Sequence, residues 1–330
     1  KGDVPPLRPS VAVEPEESQV ARPVEPGYSV AVTDTMTKVR IDVPYTQSSG
    51  TQVAVSAAAD EAEGFQILLM PVGMDLEDVV MQASSLTQTN GEGRIPAEAI
   101  CFNQVGYVKT QWPQYSVDRV GWWPDPLLNP ERFAVKDGDV QPIWVTVHVP
   151  GDTSPGIYTG SVGVHPGNAP PSCVDITLRV WDFALPREGS LALAFTFFED
   201  ISQRIHGVRE WKTKKLKRQY HDLILSYRLA PDNIYRSSPP SAEDVSYWNA
   251  HGLTAFNIAS VGSKASYGQM EIDQKLNMID KALRECSEAG LDEKAYVYGF
   301  DEISPEAYPG LIEMFGAVSE RFPNLKRLAA

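Results

Sequence analysis

The sequence predicts a multi-domain protein in which an N-terminal antiparallel β-sandwich is followed by a partial (β/α)8 barrel of about four βα units. Three observations support this prediction. The chain has 330 residues, more than one ordinary domain needs, and 42% of them are hydrophobic. Short strand patterns fill residues 28–185, whereas strand and helix patterns alternate over 186–330. The hydrophobic period therefore changes near Pro186, which marks the domain boundary.

The first two segments are a tail and a sandwich. Residues 1–27 are rich in Pro, Glu, Val and Ser without periodicity, so we expect a linker or tail there. Over 28–185, short apolar segments are separated by turn residues such as "PGDTSPG". In "SCVDITLRVWDF", Val174, Ile176 and Leu178 alternate with polar residues, which is the period of a half-buried strand.

The second domain, 186–330, reads as strands separated by helices. A doubly wound sheet would satisfy the same alternation, but no Gly-rich phosphate-binding loop follows the first strand, which favours the barrel. Because the chain stops at the fifth strand, we expect either a fragment of a longer protein or an open sheet. The predicted strands are "LALAFTFFED" (191–200), "DNIYR" (232–236), "LTAFNIASVG" (253–262), "KAYVYGFDE" (294–302) and "LKRLAA" (325–330).

Charge and composition exclude several classes of partner. The chain has 43 acidic and 29 basic side chains, a net charge of -14 that would repel nucleic acid and anionic membranes. No apolar segment is long enough to span a bilayer. The three cysteines and five histidines lack disulfide or metal-ligand spacing, so we expect no metal site and no cofactor. No oligomeric state follows from the sequence.

Two adjacent acids, Asp301 and Glu302, end the fourth predicted strand of the barrel. Side chains at the C-terminal ends of barrel strands converge on one face, where catalysis takes place. Neighbouring side chains of a regular strand point to opposite faces, so the pair can share a site only if the backbone leaves strand geometry, for example after Gly299. The alternative is that both acids stabilise the start of the following helix.

Three further residues are candidates for substrate binding: Tyr298, Asn257 and Asp200. Tyr298 lies three residues before Asp301, although a strand tyrosine is more often part of the core. Asn257 is a polar residue in an otherwise apolar strand. Asp200, with Glu199, ends the first strand, where helix capping is the competing interpretation.

Four segments together resemble glycoside hydrolase family 123 and its uncharacterised relatives: "EGFQILL" (63–69), "GWWPDPLL" (121–128), "PIWVTVHVPGDTSPGIYTGSV" (142–162) and "YVYGFDE" (296–302). The resemblance implies a sandwich followed by a catalytic barrel. It also implies a retaining β-N-acetylgalactosaminidase in which the substrate's acetamido group is the nucleophile. By this resemblance, Asp301 orients the acetamido group and Glu302 is the general acid and base.

The expected function is therefore retaining hydrolysis of β-linked N-acetylhexosaminides, with N-acetylgalactosamine as the expected sugar and a glycan as the partner. We expect these 330 residues alone to be inactive, because the sequence stops as its fifth barrel strand begins and the strands that would complete a barrel are absent from it. A glycan substrate and a Pro-rich leader favour a secreted or extracytoplasmic protein. The alternative function is that of a non-catalytic carbohydrate-binding or surface protein with a degenerate barrel.

Overall fold

The computed structural model describes residues 26–46, 50–207 and 214–330. Contacts divide the chain into two compact units, Lys1–Leu185 and Pro186–Ala330, called unit 1 and unit 2 below. Most of the tail predicted at 1–27 lies outside the described residues. In the part of the chain that is described, no helix combines the length and the apolar composition that a bilayer span requires.

Unit 1 consists mainly of β-strands in its described residues. They are β1 (Gly27–Thr33), β2 (Gln52–Ala59), β3 (Ala62–Val72), β4 (Leu76–Ala83), β5 (Leu86–Gln88), β6 (Arg94–Ile95), β7 (Ile100–Lys109), β8 (Trp122–Leu128), β9 (Phe133–Val135), β10 (Gln141–His148), β11 (Gly156–His165) and β12 (Ser172–Ala184).

These strands form a sandwich of two sheets. One sheet has the order β1-β3-β10-β7-β8, and the other has the order β2-β12-β11-β4-β9, with β5 paired to β11 and β6. The predicted alternation of β12 is confirmed, because Val174, Ile176 and Leu178 are buried while their neighbours are exposed. They share one apolar core with Phe65 and Ile67 of the other sheet. The prediction of sheets built mainly from antiparallel pairs is thus confirmed for unit 1.

One strand pair departs from the predicted antiparallel arrangement. β2 pairs in parallel with β12, from Gln52 opposite Asp175 to Ala57 opposite Val180. A parallel pair requires a long crossover connection, and here the strands from β3 to β11 supply it. Alternation within a strand reports which face is buried and carries no information on the direction of its partner.

Unit 2 contains helices and a small parallel sheet. Its described elements are α1 (Glu199–Ile205), α2 (Lys214–Ser226), α3 (Ala242–Ala250), β13 (Phe256–Ser260), α4 (Gln269–Glu288), β14 (Ala295–Tyr298), α5 (Tyr308–Arg321) and β15 (Lys326–Leu328). The sheet has the order β13-β14-β15, and both of its pairs are parallel, as the sequence predicts. Helices α4 and α5 are the crossovers, and their buried residues, such as Leu276 and Met314, pack with Ile258 and Val297 of the sheet.

The first two predicted strands of the barrel, at 191–200 and 232–236, are not regular strands, so that part of the prediction is wrong. Single backbone bonds replace a ladder there: the Phe197 amide donates to the Asp232 carbonyl at 2.7 Å, and the Ser260 amide donates to the Arg236 carbonyl at 2.7 Å. The Asn233 side chain accepts the Tyr235 amide at 2.8 Å, which forms a turn.

Helices α3 and α5 begin in different ways. The Ser241 hydroxyl accepts the Asp244 amide at 3.1 Å, so Ser241 is the N-cap of α3. Ser304 makes no capping bond, and Pro305–Ala307 form a 3-10 turn before α5 begins at Tyr308. The Ser304 side chain instead hydrogen-bonds Glu306, which lowers the pKa of that carboxyl.

Candidate active site

The candidate site lies where β14 ends. Side chains of this strand alternate between two buried environments: Ala295 and Val297 pack with the crossover helices, whereas Tyr296 and Tyr298 pack with Ala255 on the opposite face. Asp301 lies on the side of the two tyrosines, because its carboxylate accepts a hydrogen bond from Tyr298. Gly299 lies between, and a Cβ at this residue would come within 2.6 Å of Val261.

The backbone leaves strand geometry directly after Tyr298. Phe300 has φ 59° and Glu302 has φ 44°, both in the left-handed region that residues with a Cβ rarely occupy. Phe300 is completely buried and packs edge-on against Tyr267 and Phe315, while the Glu302 amide donates to the Ala330 carbonyl at 2.9 Å. These contacts hold the chain in a strained conformation, a feature that is common at functional sites.

Asp301 accepts two hydrogen bonds from tyrosine hydroxyls, one on each carboxylate oxygen. Tyr298 donates to Oδ1 at 2.7 Å and Tyr235 donates to Oδ2 at 3.0 Å. The bond to Asp301 raises the pKa of Tyr235, and burial together with the same carboxylate raises the pKa of Tyr298. Both hydroxyls therefore remain protonated donors, and they fix the plane of the carboxylate.

Glu302 has a different environment from its neighbour. Its side chain is exposed, and no hydrogen bond or ion pair to it is present among the residues that the structure describes. A carboxyl group in that position is accessible to a bound molecule and to water. The two adjacent acids thus differ in a way that suits different roles, since one is fixed and the other is free.

Asn257 belongs to a buried polar network beneath the site. Its backbone amide donates to Asp232 at 2.7 Å and its side-chain amide donates to the Ile234 carbonyl at 2.8 Å. The Asp232 carboxylate also accepts bonds from Tyr296 at 2.9 Å and Arg236 at 2.8 Å. Burial raises the pKa of Asp232, and the Arg236 charge opposes that effect. This network positions the turn that carries Tyr235.

Asp200 lies in the first turn of α1 and is exposed. Its carboxylate is 3.7 Å from Arg204, one helical turn further on. The neighbouring Glu199 lies 3.5 Å from Lys217 and 3.7 Å from the ring of His221. Both acids therefore lie at the N-terminal end of α1, the end of a helix that favours negative charge. Their described ion pairs are with residues of α1 and α2.

Two residues of the candidate site, Tyr235 and Phe198, are absent from the sequence-based prediction. Their rings are parallel to within 4°, with centroids 6.0 Å apart, and Tyr235 also meets Tyr298 edge-on. Each lies near the end of a predicted barrel strand, "DNIYR" and "LALAFTFFED". The strand-end rule that singled out Asp301 would also have found Tyr235.

Among the described residues, no group of three or more His, Cys, Asp or Glu side chains could hold a metal ion. The three cysteines are free, with Cys101 and Cys173 exposed.

Comparison with known proteins gives matches to one family in sequence and in fold. Residues 37–166 match the glycoside hydrolase 123 N-terminal domain. A solved family 123 glycoside hydrolase from Clostridium perfringens, studied for glycolipid glycan hydrolysis, is similar in fold with a TM-score of 0.65 and 12% identity. That match covers 88% of this chain and 61% of the other, so the chain spans about three fifths of that structure's length.

Another solved structure that matches is much less similar in fold. A PapD-like domain of human CEP192 aligns over 54% of this chain and 99% of its own, with 13% identity and a TM-score of only 0.23. No curated protein matches the chain. The resemblance to glycoside hydrolase family 123 that the sequence indicates is thus confirmed, in the sequence of unit 1 and in the fold of most of the chain.

Proposed function

We propose that the full-length protein is a retaining glycoside hydrolase that acts on β-linked N-acetylhexosaminides, with N-acetylgalactosamine as the preferred sugar. The observation that carries the proposal is the geometry of the two acids: Asp301 is fixed by two tyrosine hydroxyls, and the adjacent Glu302 is exposed. The confirmed resemblance to family 123 supports the reaction type.

The proposed reaction needs only one proton donor from the protein. The carbonyl oxygen of the substrate's 2-acetamido group attacks the anomeric carbon while the bond to the leaving oxygen breaks, and Glu302 transfers a proton to that oxygen. Asp301 accepts a hydrogen bond from the acetamide N–H and stabilises the positive charge of the oxazolinium intermediate. Glu302 then removes a proton from water as the water adds to the anomeric carbon and the bond between that carbon and the acetamido oxygen breaks, which restores the acetamido group. Each of the two displacements inverts the anomeric carbon, so the product retains the anomeric configuration of the substrate.

We also propose that unit 2 is the first part of a (β/α)8 barrel. Its three parallel strands with crossover helices on one face and tyrosines on the other support this architecture. The other strands of such a barrel would form most of the sugar-binding wall, so we expect the 330 residues alone to show no turnover. A glycan substrate also suggests an extracytoplasmic location.

Two variants of the full-length protein test the roles of the acids. Glu302→Gln should strongly slow hydrolysis of a natural β-linked N-acetylhexosaminide, but slow an aryl glycoside with a good leaving group much less in the glycosylation step, because that group leaves without a proton. Asp301→Asn should slow both substrates by similar factors, on the order of 100-fold, because every substrate uses the acetamido nucleophile.

A loss of activity supports the proposed roles only if both variants are folded. Thermal melts of both variants must match those of the wild-type protein. Activity near the wild-type level on the natural β-linked N-acetylhexosaminide in either folded variant would refute the mechanism. Binding of N-acetylgalactosamine without any hydrolysis by the wild-type protein would instead support a non-catalytic carbohydrate-binding function.

A further inference from the structure

Phe198 and Tyr235 form an exposed aromatic surface beside Asp301. Their parallel rings come from two segments that are far apart in sequence, with centroids 6.0 Å apart. Phe198 is 39% exposed and Tyr235 is 47% exposed, so each ring retains a large area in contact with solvent. Single exposed aromatic residues are ordinary. A parallel pair that ends at a fixed carboxylate is a more specific arrangement.

Tyr235 is held in place from three directions without a ligand. Its hydroxyl donates to Asp301 at 3.0 Å, its amide donates to the Asn233 side chain at 2.8 Å, and its ring meets Tyr298 at 90°. The segment before Phe198 is also fixed, because the Phe197 amide donates to the carbonyl of Asp232. A surface that is rigid before binding loses little conformational entropy when a ligand arrives.

We infer that Phe198 and Tyr235 are a stacking platform that binds the apolar face of the sugar ring whose acetamido group reaches Asp301. This inference rests on the proposed function and adds two substrate-binding residues to it. Ligand sites typically combine aromatic walls with a few fixed polar groups, and here the Tyr235 hydroxyl joins the two. The ligand class is an N-acetylhexosamine.

The chemistry of the sugar fits such a platform. A pyranose ring has polar hydroxyls on its rim and C–H bonds on its faces. In the galacto configuration the 4-hydroxyl is axial, so C3–H, C4–H and C5–H lie on the same face and form a continuous apolar patch. That patch packs against aromatic rings through dispersion and the attraction of C–H groups to the π-face. A sugar with the galacto configuration should therefore bind to the platform more tightly than one with the gluco configuration.

Kinetic constants of the full-length protein separate the two functions of the platform, which are stacking on the sugar ring and hydrogen bonding to Asp301. Phe198→Ala removes a stacking ring and should raise KM for an aryl β-N-acetylgalactosaminide about tenfold, with kcat changed less than about threefold. Tyr235→Phe keeps its ring but loses the bond to Asp301, so KM should stay within about threefold while kcat falls. Tyr227→Ala, an exposed tyrosine at the end of α2, is the matched control and should change neither constant.

A binding measurement makes the test independent of turnover. Saturation-transfer NMR with N-acetylgalactosamine should show strong transfer to the C3, C4 and C5 protons in the wild-type protein, and this transfer should be lost in Phe198→Ala. Equal transfer in that variant, no transfer in the wild-type protein, or a KM no higher than that of Tyr227→Ala would overturn the platform. Retained activity in Asp301→Asn would instead refute the proposed function itself, so the two failures are distinguishable.

Discussion

Gly299→Ala tests how closely the end of β14 must approach β13. A Cβ at residue 299 would lie 2.6 Å from the side chain of Val261 and 2.8 Å from the carbonyl oxygen of Gly262. The backbone carbonyl of Gly262 cannot rotate away from the added methyl group as a flexible side chain could. That Gly262 carbonyl also accepts the Phe300 amide at 3.1 Å, and the Val261 amide donates to the Tyr298 carbonyl at 2.8 Å. The added methyl group therefore forces apart two strands that are joined by these bonds.

The expected loss can be estimated from the contacts. Overpacking by one methyl group in a well-packed interior costs about 2 kcal/mol of unfolding free energy. For a cooperative unit of about 145 residues, this lowers the melting temperature by about 6 °C. Because Asp301 follows two residues later, we also expect the shift to lengthen its hydrogen bond to Tyr298 and to reduce kcat.

Differential scanning calorimetry of the wild-type and variant proteins measures the change directly. Gly316→Ala is the matched control, because this residue lies within α5 and its added Cβ meets nothing within 4 Å apart from its chain neighbours and the nearby backbone of its own helix. Alanine is the better helix former, so the control should raise the unfolding free energy by about 0.5 to 1 kcal/mol. If Gly299→Ala melts at or above the wild-type temperature, the close approach of the strands does not constrain the site.

Four further predictions concern the groups around the site. Tyr298→Phe removes one bond to Asp301 and should lower the unfolding free energy by about 1 kcal/mol and kcat about tenfold, measured by urea titration and an aryl-glycoside assay. Asp232→Asn leaves Arg236, whose side chain is only 15% exposed, without its charge partner, and should cost about 3 kcal/mol of unfolding free energy in the same titration. Burial raises the pKa of Tyr298 and Tyr107 in the folded state, so stability should be complete below the ordinary tyrosine pKa of 10.0 and fall as pH rises above it, as melts at pH 8 and pH 11 would show. Activity should not change when EDTA is added, because the proposed reaction requires no Lewis acid.

A different result would contradict each of the four predictions. A Tyr298→Phe variant with wild-type kcat would mean that Asp301 needs no anchor from the strand. Unchanged stability of Asp232→Asn would show that water replaces the lost partner of Arg236. Equal melting temperatures at pH 8 and pH 11 would contradict the buried-tyrosine argument, and loss of activity in EDTA that one divalent ion restores would require a metal site.

Sequence analysis correctly predicted those elements whose structure depends on a periodic pattern within one segment. The alternation of Val174 and Ile176 in β12 identified a half-buried strand. Crossover helices between apolar strands predicted the parallel pairing of β13 to β15. These features depend on side-chain spacing along one segment, which a single sequence displays completely.

Features that depend on partners distant in sequence could not be predicted in this way. The segment around Tyr235 reads as a strand, but the Asn233 side chain captures the backbone amide that a ladder would use. Asp301 accepts hydrogen bonds from Tyr298, three positions earlier in the sequence, and from Tyr235, 66 positions earlier. The sequence spacing of Tyr235 and Asp301 gives no sign that the two side chains meet. The strained φ of Glu302 likewise depends on tertiary contacts that hold the turn.

The parallel pair of β2 and β12 has a consequence during synthesis of the chain. β2 lies at the edge of its sheet, and β12 is its sole neighbour in the strand order of the described residues. Roughly 120 residues separate the two strands, so at typical elongation rates on the order of ten seconds pass before β2 can pair. During that interval the apolar, alternating segment "QVAVSAAA" has unpaired backbone groups. Pairing over such a long sequence separation is slow, so closure of this edge should limit the folding rate of unit 1, and a nascent chain released before β12 should aggregate through β2.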